Sequence, residues 1–453
     1  MSNRKASHVL AATVDSLGLP TEDFQISAEK IRKARRANRE ATNNEIRKYF
    51  APEVPLVVHW DSKIMLALDT PDKVDRVAIC VSGEGITKLL GIPILLRGTG
   101  EATAEAVYET ILDWNVLDQI EFMSFDTTSV NTGKWAGASV LLQQKIQRQL
   151  IGVACRHHIF ELVIGSAYSA TFGKTTSPEV AIFKRFKEHW KFIDSTKCVP
   201  GIDDPLVKEA LVSKEDTLKT NMKAVLQRGT VRADYKEVLE LGLLFLGDIP
   251  SEKYTIRRPG AMHHARWMSK VLYGLKIFLF REQFQLTEDE YESLRKFVIF
   301  TIKVYLGAWF RAGKPISAPR RDLEFLKTLS LYKDDDEKIS EETVDTFLNH
   351  LWYLNQHLVG LAFFDKEVPV ETKRQMVTQL KVETQIQPRA RLTIDEIEHS
   401  QLPNFVSSDT RTFFDALRIE TDFLNFDPDH WDDFPSYKLG IVRANNIQVG
   451  LNF

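Results

Sequence analysis

The hydrophobic pattern changes character along the chain. Residues 54 to 100 carry short β-branched runs bounded by turn formers, "VPLVVHWD", "RVAICVSGEG" and "GIPILLRGTG", which predict three consecutive strands. "EATAEAVYETILDWNVL" then has the length and spacing of a helix, and "QIEFMSFDTTSVNTG" is a strand running into a polar turn. "GASVLLQQKIQRQL" predicts a second helix and "IGVAC" a fifth short strand. The order is three strands, helix, strand, helix, strand, with Asp61 closing the first strand and Asp126 the fourth.

From about residue 173 to 350 the period lengthens. Runs such as "DPLVKEALVSKEDTLKTNMKAVLQ", "HHARWMSKVLYGLKIFLFREQF" and "DEYESLRKFVIFTIKVYLGAWF" predict a mainly helical region. Beyond 380, isolated prolines and the acidic-aromatic patch "FDPDHWDDFPSY" predict a poorly packed or partner-binding end.

Ahead of the strands, residues 28 to 48 form a run without Pro or Gly that carries Lys30, Arg32, Lys33, Arg35, Arg36, Arg39, Arg47 and Lys48. It predicts a basic helix, and "SHVLAATVDSLG" before it predicts a shorter one, together a small helix-turn-helix-like unit. Clustered Arg and Lys suffice to bind phosphates. The competing reading is a solvated charged helix leading into the next domain.

Composition narrows the class. The chain has 453 residues, 43% of them hydrophobic, and a formal charge of −3, so disorder is excluded as the overall reading and only the distribution of charge is informative. Cys80, Cys155 and Cys198 lie far apart, with no membrane-length apolar run and no signal-like start, which predicts a reducing compartment without disulfides and no membrane partner. Small-molecule α/β chemistry has little support: G-x-G-x-x-G after the first strand, G-x-x-x-x-G-K-[ST] and G-x-S-x-G are all missing.

Two aspartates at the ends of separate strands are brought side by side when those strands neighbour each other, and the repulsion is usually relieved by a divalent cation. Asp61 and Asp126 therefore predict a Mg2+ (or Mn2+) site; alternatively each merely begins a turn. The letters Cys155-Arg156-His157-His158 suggest zinc when read alone, but a structural zinc site needs four ligands and no second Cys/His pair lies at suitable spacing.

The ordered set of strand-end acids, Cys155-x-x-His158 and a following helical region resembles the RNase H-like core of DDE-type transposases, in particular the hAT-like, Mutator-like and P-type groups and proteins derived from such transposons. The resemblance covers roughly residues 54 to 370 and implies an α/β fold, an RNase H-like mixed sheet interrupted by a large helical insertion. The implied division is a basic N-terminal segment over 1–50, the first part of the core over 51–172, the insertion over 173–340, the closing helix of the core over 341–378 and a tail over 379–453. Asp61 and Asp126 would be catalytic metal ligands, and Cys155 and His158 would support them by bracing the core against the insertion. DNA would be bound by Arg32, Lys33, Arg35, Arg36 and Arg39, and in the insertion by Arg258, Arg266 and Trp267, an aromatic able to stack on an unpaired base. Trp267 also suits a core position on an amphipathic helix.

The family carries a third acid on the closing helix. Here the natural candidate, "FLNHLWYLNQHLVGLAFFDKEV", reads Asn355-Gln356-His357 where the acid belongs, and Glu341, Glu342, Asp345 and Asp365 lie a turn or more away. Two functions are thus implied. One is a DNA transposase performing metal-dependent phosphodiester hydrolysis and strand transfer; the other is a domesticated, catalytically silent nuclear DNA-binding or assembly factor. Both imply a nuclear, DNA-bound homo-oligomer.

Overall fold

The β-branched runs assemble into one open mixed sheet. In the computed structural model, which describes residues 1–66, 73–174, 180–229, 232–249, 256–260, 268–382 and 392–448, the strands are β1 (Leu56–Leu66), β2 (Lys73–Gly83), β3 (Ile86–Gly91), β4 (Ile94–Leu95), β5 (Ile120–Ser124) and β6 (Ile151–Gly152). Their order is β3-β2-β1-β5-β6, with β4 paired to β2. The pairs β1–β2 and β2–β3 are antiparallel, whereas β1–β5 and β5–β6 are parallel. The fold is α/β.

Three strands differ from the sequence pattern. The first does not close at Asp61 but runs on to Leu66, because β2 pairs with it along that whole stretch and leaves Asp61 mid-strand opposite Ala78. The third begins at Ile86, ahead of "GIPILLRGTG", because the reversal occurs at Glu84 and Gly85; Ile94–Leu95 then returns to β2 as a separate short strand. β6 shrinks to two residues, although the Val153 and Cys155 amides still donate to Met123 O (2.8 Å) and Phe125 O (3.1 Å) and keep the chain alongside β5.

The helices before the insertion are α1 (Asn3–Ser16), α2 (Ala28–Tyr49), α3 (Gly100–Asp113), α4 (Ser129–Thr132), α5 (Ala138–Ile146) and α6 (Arg156–Phe172). Ser2, Ser27 and Thr99 cap α1, α2 and α3 by accepting backbone amides. Side chains alternate across β1: Leu56, Val58 and Trp60 join Val107, Ile111 and Leu142 of α3 and α5 in one core, while Val57 faces a second core built from the C-terminal segment. The sheet is covered on both faces.

The helical region comprises α7 (Ala181–His189), α8 (Pro205–Leu211), α9 (Glu215–Gln227), α10 (Ala233–Phe245), α11 (Met268–Leu279), α12 (Glu288–Phe300), α13 (Leu306–Arg311), α14 (Ala318–Leu331) and α15 (Glu337–Leu348). Its core is shared with α6, and a π-helical turn at Thr301–Tyr305 joins α12 to α13. No helix among the described residues is long and apolar enough to cross a membrane.

The segment expected to close the core as a single helix does not form one. α15 ends at Leu348 and 3-10 turns follow at Trp352–Leu354 and Leu358–Phe363, before α16 (Val370–Leu380). Asn355 Oδ1 accepts the His357 and Leu358 amides (2.8 Å each) and so restarts the chain, and Leu358 to Phe364 are buried on every side, which no amphipathic helix allows. The expectation of a poorly packed end is also corrected. With α17 (Ile394–His399), α18 (Arg411–Ala416) and α19 (Pro435–Asn446), Phe413, Phe423, Trp431 and Tyr437 are buried against Phe363 and Phe364. The acids of this patch stay outside, where Arg374 bonds both Asp427 and Asp429. The aromatics decide the packing and the charges line its rim.

Candidate functional site

The register between β1 and β5 runs Leu56–Ile120, Val57–Phe122, Val58–Met123, His59–Ser124. The pairing ends there: β1 continues through Asp61 to Leu66, whereas β5 stops and Asp126 lies in the loop that follows. The rings of Trp60 and Phe125 are stacked with centroids 5.1 Å apart. Asp61 is exposed and follows His59 on the same face of β1. His59 is buried and bonded to Ser82 Oγ at 2.7 Å; burial pulls its pKa down to about 3, so it is a neutral prop beneath the acid.

Asp126 is held by its own loop. Its Oδ1 accepts Thr128 N (3.1 Å), Thr128 Oγ1 (2.6 Å) and Asn131 Nδ2 (2.6 Å). Asn131 Oδ1 in turn accepts Trp60 Nε1 at 2.8 Å, so β1 and the loop after β5 are tied together through the acid's neighbour. Sequence reasoning saw "DTTSVNTG" only as a polar turn; Thr128, Asn131 and Trp60 are positioning residues that it missed. The signal was the Asp-x-Thr spacing, whose short polar side chains bond the backbone two residues on.

Cys155 is the residue before α6, and His158 lies in that helix's first turn. Burial raises the Cys155 thiol to about 11. His157, the neighbour of the pair, has its pKa lowered to about 4, chiefly by burial, and packs on Trp309 with centroids 4.3 Å apart. The firmest tie to the helical region is Arg156, which is 3% exposed and bonds Asp322 of α14 through Nε (3.0 Å) and Nη2, and Ala312 O through Nη1 (3.0 Å). Tyr353 Oη donates to Ala154 O at 2.9 Å and closes the same corner.

The candidates for a third acid fall elsewhere. Asp365 is buried against Arg320 at 2.7 Å and accepts the Glu367 amide. Glu341, Glu342 and Asp345 are exposed, while Ile339, Thr343, Val344 and Phe347 form the buried side of α15. Among the described residues no three His, Cys, Asp or Glu side chains come together to hold a metal ion. A two-ion centre therefore does not fit the described side chains, because even two carboxylates would leave half of the charge of two divalent ions unmet.

No protein-family model matches this chain, and no curated protein matches it.

The basic residues divide. On α2, Arg32 pairs with Glu29 and Arg36 with Glu40, both at exposed sites, and Arg35 bonds Met1 O and Asn3 Oδ1. Lys33 and Arg39 are exposed on the same helix, which buries none of its residues. Exposed pairs of this kind are weak, so a phosphate competes with them easily. Helix α2 meets the sheet core at its end, where Phe50 packs edge-on against Trp114 and the Arg47 guanidinium lies 5.3 Å above the same ring. Arg258 is exposed in the segment before α11. Arg266 and Trp267 lie outside the described residues.

Proposed function

We propose that this chain is a transposase-derived, nuclear DNA-binding protein built on an RNase H-like core, working as a homo-oligomer without a complete catalytic metal centre. The observation that carries this reading is the strand order β3-β2-β1-β5-β6, with Asp61 on β1 and Asp126 just after the neighbouring β5, set against the lack of any group of three metal-ligating side chains among the described residues. That combination is what an RNase H-like fold leaves when its closing acid is lost. The exposed Lys33 and Arg39 on a coreless helix supply a phosphate-binding face.

Duplex DNA binding followed by fluorescence anisotropy across a salt series tests this. Log affinity is expected to fall linearly with log salt, and Lys33→Glu and Arg39→Glu each to reduce the slope by about 1. Binding indifferent to salt, or to both substitutions, overturns the assignment.

Acids carried on two neighbouring strands, Asp61 on β1 and Asp126 just after β5, favour a second reading, metal-dependent phosphodiester hydrolysis and strand transfer. Cleavage of DNA ends in Mg2+ or Mn2+ that vanishes in Asp61→Ala would establish it in place of the first.

A further inference from the structure

The loop that orients Asp126 also presents the most exposed tryptophan among the described residues. Trp135 is 80% exposed, whereas Trp60, Trp114, Trp309 and Trp431 are buried. An indole left in water contributes nothing to the core, and a loose loop would simply fold it down against the surface.

This loop is not loose. The Gly137 amide donates to Gly133 O and the Gly133 amide to Ser129 O, both at 2.9 Å, and Ser139 Oγ donates to Asn131 O at 2.7 Å. A Cβ on Gly137 would lie 2.5 Å from Gly133 N, so the two ends of the turn close only through glycine. Gly100, at the start of α3, is just as tight: a Cβ there would lie 2.7 Å from Val130 O and collide with Ala136 O. The turn is thus clamped between Asn131 and α3, and Trp135 stands at its tip. Lys134 holds its ammonium 4.9 Å from the centre of the Trp135 ring. Exposed Arg97 lies three residues before Gly100, on the segment leading into the same contact.

A fixed aromatic face with a cation above it and a second cation nearby matches one kind of ligand, an unpaired base with its flanking phosphate. Duplex DNA, whose bases are stacked on each other, has no use for the ring. We propose that Trp135 is a stacking platform for an unpaired nucleobase, with Lys134 holding the adjacent phosphate; this rests on the DNA-binding reading above and adds single-strand recognition beside Asp126.

The test compares full-length wild type, Trp135→Ala, Trp135→Phe and Lys134→Ala for binding to a single-stranded oligonucleotide and to the matching duplex. Stacking of one base predicts that Trp135→Ala weakens single-strand binding about tenfold while Trp135→Phe keeps most of it and duplex binding changes by less than about twofold. Lys134→Ala is expected to weaken single-strand binding and lower its salt dependence. Because the ring is exposed, these variants fold, which circular dichroism verifies. Equal single-strand affinity in wild type and Trp135→Ala overturns this inference alone, since wild-type binding to DNA would still stand. Absence of any wild-type binding, to either strand form at low salt, overturns the DNA-binding reading and this one with it.

Discussion

Replacing Arg156 by methionine, which keeps the length of the stem and removes the charge, probes the tie between the sheet and the helical region. Arg156 and Asp322 are 3% and 1% exposed, and Asp322 Oδ2 has no hydrogen-bond partner among the described residues, so the guanidinium is the carboxylate's chief compensation. Removing one partner of such a pair costs about 3–5 kcal/mol, far more than the pair contributes relative to a well-packed apolar substitute. With a urea dependence of about 3 kcal/mol per molar, the unfolding midpoint should fall by roughly 1 M or more. The loss should also depend on pH. Burial already raises the Asp322 carboxyl above its ordinary range, with Arg156 opposing that rise. A raised acid is stabilising only below its unfolded pKa and costs stability as pH climbs through the folded one, so taking Arg156 away extends the loss to higher pH, by up to about 1.4 kcal/mol per pH unit. Urea titrations of Arg156→Met and wild type at pH 5 and pH 8 should therefore show a wider gap at pH 8. An unshifted midpoint, or the same gap at both pH values, would refute the reasoning. The double variant Arg156→Met with Asp322→Leu should recover more than half of the loss.

Three further outcomes are expected. Cys80, Cys155 and Cys198 are all buried, and burial raises the first two thiols to about 12 and about 11, so a thiol reagent at pH 8 should label none of the three until urea unfolds the chain; fast labelling of the folded protein contradicts the burial of these thiols. Trp431→Ala should cost about 3–5 kcal/mol, because the ring is 1% exposed and packs on Phe363, Phe423 and Tyr437; near-wild-type stability would mean that residues 400–447 do not close the sheet. Burial lowers the Lys373 pKa to about 8 beneath Trp431 and Tyr437, so the charged form is the costly one and stability rises as pH climbs from about 8 towards the ordinary lysine range. Lys373→Met should accordingly compare better with wild type at pH 7 than at pH 10, and a difference independent of pH would count against that account.

The sequence by itself determined the local elements and their order. Period-2 runs of Val, Ile and Phe and the capped helices around them are short-range signals, written within each segment; the end of β1 was not, because its pairing with β2 carries the strand past Asp61 to Leu66. Serine and threonine caps set the starts of α1, α2 and α3 without outside help. What the tertiary structure decided lies in pairings across long separations. Whether residues 358–364 form an amphipathic helix depended on their being enclosed on all sides, which no periodicity reports, and "FDPDHWDDFPSY" read as a loose end because it carries as many acids as aromatics although the aromatics carry the packing. The role of Arg156 waited on Asp322, 166 residues away, and that of Asn131 on Trp60, 71 residues away. A buried polar group is tolerated only when its partner arrives, and the sequence does not state which partner will.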